Sequence, residues 1–75
     1  MPERKYRLIY PPSLVNVPVI HQLIRKYDLT VNILQAQIDD EQGWLDLQLS
    51  GSGTTLEEAL SWLQSLGIEI EEQNR

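Results

Sequence analysis

Apolar and polar positions change their period along the chain, and the changes mark the elements. Between Arg4 and Tyr10, Tyr6, Leu8 and Tyr10 alternate with Lys5, Arg7 and Ile9. A period of two predicts a strand with one buried face. Pro11-Pro12 ends it, because proline supplies no N–H to a ladder. From Val17 to Tyr27 the period lengthens. Ile20, Leu23, Ile24 and Tyr27 stand at i, i+3, i+4 and i+7, the buried stripe of a helix. Pro18 suits the first turn, Asn16 is the expected N-cap, and Arg25 and Lys26 complement the helix dipole at its end.

A second strand is expected from Leu29 to Asp39. Unbroken alternation puts Thr30, Asn32, Leu34, Ala36 and Ile38 on one face and Val31, Ile33, Gln35 and Gln37 on the other. Asp39-Asp40-Glu41-Gln42-Gly43 reads as a hairpin turn. The third strand, Trp44 to Ser50, alternates cleanly, with Leu45, Leu47 and Leu49 inward and Trp44, Asp46 and Gln48 outward. After the loop Gly51-Ser52-Gly53, Thr55-Leu56-Glu57-Glu58 has the form of a capping box. The helix it opens carries Leu56, Ala59, Leu60 and Leu63 as its stripe and stops at Gly67. Ile68 to Glu71 is a short last strand, and Glu72 to Arg75 a frayed tail.

The order β-α-β-β-α-β with right-handed crossovers predicts an α+β, ferredoxin-like sandwich. Its antiparallel sheet has strand order 4-1-3-2, with both helices on one face. Residues 1–75 form a single domain with an ordered core of about 4–71. The helix-free face is expected to present Ile9, Val31, Ile33 and Trp44, with Gln35, Gln37, Asp46 and Gln48 around them. Monomers seldom expose such clusters. The second strand is also a sheet edge with no lysine, proline or inward charge to protect it. A homodimer is therefore expected, with Val31, Ile33, Gln35, Gln37 and Trp44 at its interface. The alternative is an adaptor module that docks another protein on the same edge or face.

Composition narrows the chemistry. A 75-residue chain buries a small core, and domains of this size usually gain stability from disulfides, a metal or self-association. There is no cysteine, so disulfides, thiolate metal sites and cysteine nucleophiles are excluded. Net charge is −5, which disfavours nucleic acid as a partner. The charge is uneven. Up to Ile38 there are five basic and two acidic residues; from Asp39 onward there are nine acidic residues and one basic. Pairing of the last strand with the first would set Lys5 and Arg7 opposite Glu69 and Glu71 and account for this. No apolar run reaches the roughly 20 residues of a membrane span, and the charged start, Met1 to Lys5, does not read as a signal peptide. A cytoplasmic protein is expected.

Catalysis finds no convergent groups, and no enzyme activity or cofactor is expected. His21, the single histidine, has no fixed acid partner. Asp39, Asp40 and Glu41 lack the ligand spacing of a calcium loop. Gly51-Ser52-Gly53 outlines a phosphate cradle, but no basic residue follows it and Glu57 and Glu58 would repel an anion.

Tyr27-Asp28-Leu29-Thr30-Val31-Asn32-Ile33-Leu34-Gln35-Ala36-Gln37-Ile38 resembles the NIL domain, whose name comes from an Asn-Ile-Leu motif, here Asn32-Ile33-Leu34. Pro18-Val19-Ile20, Gly43, Leu49 with Gly51, Ala59-Leu60-Ser61-Trp62-Leu63 and Gly67-Ile68-Glu69-Ile70 extend the likeness over almost the whole chain. NIL domains are best known as C-terminal regulatory domains of methionine-import ABC transporter ATPases. They pair as dimers and bind methionine, and they also occur fused to ferredoxins. The resemblance thus implies a dimeric sensor of methionine or a similar small amino acid, with Asn32 at the ligand's polar end and Ile38 near its apolar side chain. With no ATPase segment and no iron–sulfur cysteines, the domain is expected to stand alone.

Overall fold

The computed structural model describes residues 3–39 and 41–73. Strand β1 (Glu3–Tyr10) is followed by a short 3-10 turn at Pro12–Leu14, helix α1 (Val19–Lys26), strands β2 (Thr30–Ile38) and β3 (Gly43–Ser50), helix α2 (Gly53–Ser65) and strand β4 (Glu69–Gln73). The strands form one sheet in the order β2-β3-β1-β4, each pair antiparallel. This is the expected ferredoxin-like order, with β1 and β3 central and β2 and β4 at the edges. The last strand runs on to Gln73, into the segment read as a tail; residues 74–75 lie outside the described residues.

The core follows from the period-two pattern. Tyr6, Leu8 and Tyr10 of β1 and Leu45, Leu47 and Leu49 of β3 point to the helix layer. There they meet Val19 and Leu23 of α1, Leu56, Ala59 and Leu63 of α2, and Ile68. All are buried, and no polar or charged side chain among the described residues is buried with them. Burial in this apolar layer pushes the Tyr10 phenol up to about 12.

Both helix starts differ from expectation. Helix α1 begins at Val19, two residues after Val17, and Pro18 precedes it with no side-chain cap. Asn16 is not the cap. Pro11-Pro12 instead seeds a 3-10 turn, and the loop satisfies its own backbone through Leu14 N–H to Pro11 C=O (3.0 Å) and Val17 N–H to Leu14 C=O (3.0 Å). The buried stripe is rotated accordingly: Val19 and Leu23 are enclosed, while Ile24 is 49% exposed. Helix α2 begins at Gly53, ahead of the Thr55 capping box. Its N-cap is Ser52, in extended conformation, whose Oγ accepts the Thr55 N–H at 3.1 Å. At its far end, Gly67 takes φ +95°, which needs no Cβ, and turns the chain into β4.

The second strand departs most from its simple reading. Val31 pairs with Leu49 and Ile33 with Leu47, but beyond Ile33 the register slips by one, so that Gln35 pairs with Asp46 and Ala36 with Leu45. Directly paired residues share a face. Val31 and Ile33 therefore lie on the helix side, not on the open side as unbroken alternation requires. Leu34 is the extra residue of a β-bulge. Past it, Ala36 and Ile38 are on the helix side and Gln35 and Gln37 on the open side. Asn32, paired with Gln48, is on the open side, so it does not share a face with Ala36 and Ile38.

Candidate functional site

The open face is ordered into rows that cross the sheet. One row runs Asn32, Gln48, Lys5, Gln73; the next Gln35, Asp46, Arg7, Glu71; the third Gln37, Trp44, Ile9, Glu69. Arg7 thus faces Glu71 as expected, but Lys5 faces Gln73 rather than a glutamate, because β4 is offset toward its C-terminus.

The middle row is tied together by hydrogen bonds. Arg7 donates Nε and Nη2 to the two Asp46 oxygens at 2.7 and 2.9 Å, a bidentate fork. The Gln35 amide nitrogen donates to Asp46 at 3.2 Å. The guanidinium lies 4.2 Å from the centre of the Trp44 ring, within cation–π range. Three strands are therefore joined by one polar cluster, and Trp44 is partly shielded by Arg7. The hydrogen bond from Arg7 holds the Asp46 carboxyl below the usual carboxylate range and raises the Arg7 guanidinium above its ordinary value.

Between this cluster and the amide row lies a groove of about 320 Å³. Lys5, Arg7, Leu34, Gln35, Asp46 and Gln73 surround it, and the chain at Tyr6 and Leu47 lies beneath. The bulge is what delivers Leu34 there. It sets Leu34 and Gln35 on the same side of the sheet, whereas an unbroken strand would send one of them to the helix layer. Leu34 remains 46% exposed.

A second feature is the uncovered helix side of β2. Val31 at the start of β2 packs against the core, but farther along the strand Ile33 is 51% and Ile38 53% exposed. Among the described residues, the outer ladder of β2 has no strand beside it.

The structure separates the residues read from the sequence. Asn32, Gln35, Gln37 and Trp44 are gathered on the open face; Val31, Ile33 and Ile38 lie on the other. Asn32 and Ile38, the expected ligand pair, are on opposite sides of their strand within one protomer. Sequence reasoning missed Lys5, Leu34 and Gln73 as lining residues. The adjacent apolar pair Ile33-Leu34, which breaks strict alternation, was the available signal for the bulge. His21 is exposed on α1. Asp39 caps its own turn, accepting the N–H groups of Gln42 (2.8 Å) and Glu41 (2.9 Å), which hold its carboxyl below the usual range. Asp40 lies outside the described residues. No group of three potential metal ligands occurs among the described residues, and no helix among them is long and apolar enough to cross a membrane.

The architecture is a ferredoxin-like sandwich with one open sheet face and a bulge in one of its two edge strands. The NIL domain profile matches residues 4–72, and the chain belongs to the NIL domain family. A curated relative, the methionine import ATP-binding protein MetN of Helicobacter hepaticus, is 36% identical over 73 residues, 92% of this chain but 21% of MetN. The L-aspartate semialdehyde sulfurtransferase iron-sulfur subunit of Methanocaldococcus jannaschii is 40% identical over 58 residues, 77% of this chain and 44% of that one. The chain thus spans about a fifth of the length of the MetN relatives. Among solved structures, the C-terminal domain of an ABC transporter ATP-binding protein from Enterococcus faecalis superposes with a TM-score of 0.82 at 25% identity, covering 96% of this chain and 84% of the other.

Proposed function

We propose that this NIL domain is a non-catalytic regulatory module that works as a homodimer through β2 and senses a small amino acid such as methionine. The observation that carries the reading is the β2 edge. Among the described residues its backbone ladder is unpaired on one side, and Ile33 and Ile38 stand half exposed beside it. An unprotected edge of this kind is a template for another strand. Antiparallel pairing of two β2 strands about a two-fold axis would continue the sheet and bring the isoleucines of both copies together. Pairing also offers a route to reuniting Asn32 and Ile38, since residues from two copies would flank one seam.

The amino-acid reading is supported by the relatives, which include proteins named for methionine import, and by an open face rich in amide side chains beside apolar Leu34. Light scattering tests the dimer, with Ile33→Lys expected to yield a monomer that keeps its fold. Calorimetry with methionine tests the sensor. At a hundredfold excess over Kd, a single site stabilises the fold by about 2.7 kcal/mol. A wild type that is monomeric at every concentration, or unmoved by millimolar amino acids, would remove the corresponding half of the reading.

A further inference from the structure

We infer that the Leu34 bulge is a gate on the outer edge of β2. Beyond Ile33 the strand has two registers against β3: a bulged one, which interrupts the edge, and one slid by a residue, which leaves a continuous ladder for a second copy of this chain. This rests on the homodimer reading above and adds to it what controls the pairing.

Burial fixes register, and in β2 it fixes only the first part. Val31 packs against the core, opposite fully buried Leu49. From Asn32 to Ile38 every residue is exposed. A strand with little buried on either face specifies its register weakly. The slid register continues the pairs Val31–Leu49 and Ile33–Leu47 without an extra residue. It sets Leu34 opposite Asp46 and Ala36 opposite Trp44. Leu34, Ala36 and Ile38 then share the open face with Trp44 and Ile9, while Gln35 and Gln37 pass to the helix side. The slide exchanges amide and apolar side chains between two faces that are both in contact with water, so little apolar burial is gained or lost.

Few contacts secure the bulged register. Gln35 donates to Asp46 at 3.2 Å in an exposed hydrogen bond. Ile38 lies over Gly43, where a Cβ would stand 3.3 Å from Ile38 Cγ1. The Asp39 N–H meets the Gln42 carbonyl at 2.9 Å. The slide gives these up and brings into the ladder the residue that a bulge leaves out. It lengthens the hairpin turn by one residue, and hairpins are built with loops of various short lengths.

The outer edge differs between the two registers. A bulge disrupts the ladder and twists an edge away from an incoming strand. With no charged residue from Thr30 to Ile38, the bulge is what interrupts this edge. An antiparallel copy pairs best with an unbroken ladder, so association selects the slid register.

The chain has no cysteine, so engineered disulfides read the register directly. Gln37→Cys with Trp44→Cys joins positions that are opposed in the bulged register. Ala36→Cys with Trp44→Cys joins positions that lie on opposite faces in it and oppose each other only after the slide. In dilute glutathione buffer both double variants should oxidise with the far-ultraviolet dichroism retained. By light scattering, the oxidised Ala36 variant should dimerise at concentrations at least tenfold lower than the oxidised Gln37 variant. An Ala36 variant that stays reduced where the Gln37 variant oxidises would overturn the slide. Equal dimerisation of the two oxidised forms would overturn the gate and leave the dimer standing. Wild type and both oxidised forms monomeric at every concentration would overturn both. If loss of Trp44 unfolds the variants, dilute wild type supplies the readout. Its relaxation dispersion should show exchange confined to β2 beyond Ile33 and the start of β3, and flat profiles there would overturn the slide.

Discussion

Ile33 of β2 and Leu47 of β3 face each other across one ladder and point to the same side of the sheet. Leu47 is fully buried, while Ile33 is 51% exposed. The two residues are similar in size and hydropathy, and both lie in strands that read as alternating. What separates them is position. Strand β3 has neighbours on both edges and helices above it. Strand β2 has a neighbour on one edge, and past Val31 its apolar side is left largely uncovered. One apolar strand is thus enclosed in the core, while the other keeps much of its apolar side in water.

The sharpest way to break the comparison is truncation at both positions. Leu47→Ala should cost about 2–5 kcal/mol, the range for enclosed leucines. That is a large share of the stability of so small a domain, and denaturant melts would show it. Ile33→Ala in dilute, monomeric protein should cost under about 1 kcal/mol, since its side chain is already half in water. Equal losses would mean that Ile33 is covered in solution. Next in size is Gly67→Ala, which forces a Cβ into positive φ and should destabilise by about 1–2 kcal/mol in thermal or denaturant melts. Ser52→Ala removes the α2 cap and should cost about 1 kcal/mol by the same measurements.

The smallest expected effect comes from pH. The folded-state carboxyls of Asp46 and Asp39 sit below their unfolded values, through the Arg7 hydrogen bond and through the Gln42 and Glu41 N–H groups respectively. Each contributes stability that is present above the unfolded value near pH 4 and lost as pH falls through the folded one. Both groups meet solvent, so the contribution is modest. Melting temperature should therefore decline below about pH 4, and Asp46→Asn should flatten part of that decline. Within β2, deletion of Leu34 sharpens the comparison further. It restores simple alternation without changing which side any other β2 residue occupies. The sheet should survive in far-ultraviolet dichroism, while the amide resonances of Lys5, Gln35 and Gln73 shift as the groove loses its apolar wall.

The open face shows the same division between legible and hidden features. Trp44, Asp46 and Gln48 are assigned to it by alternation alone, because β3 pairs regularly on both sides. The Arg7–Asp46 fork is not legible, since cross-strand partners depend on register. The sequence suggests Glu69 and Glu71 as partners for the basic strand, and the offset of β4 sets Lys5 opposite Gln73 instead. Among the described residues, Lys5 therefore faces an amide rather than a carboxylate across this ladder, a feature that charge counting hides.

The amino-acid sequence by itself determined the element order, the sheet topology, the enclosed faces of β1 and β3, the glycine stop of α2 and the family. The family is carried by the Asn32-Ile33-Leu34 motif and its companions, and the rest by periodicity and turn residues, which act over a few neighbours. Only the tertiary structure decided which way β2 faces and what lies beside Lys5. A single extra residue in a ladder reverses every side chain beyond it, and pairing with β3 alone shows that the insertion is there. For this protein that residue is Leu34, and the open groove exists because of it.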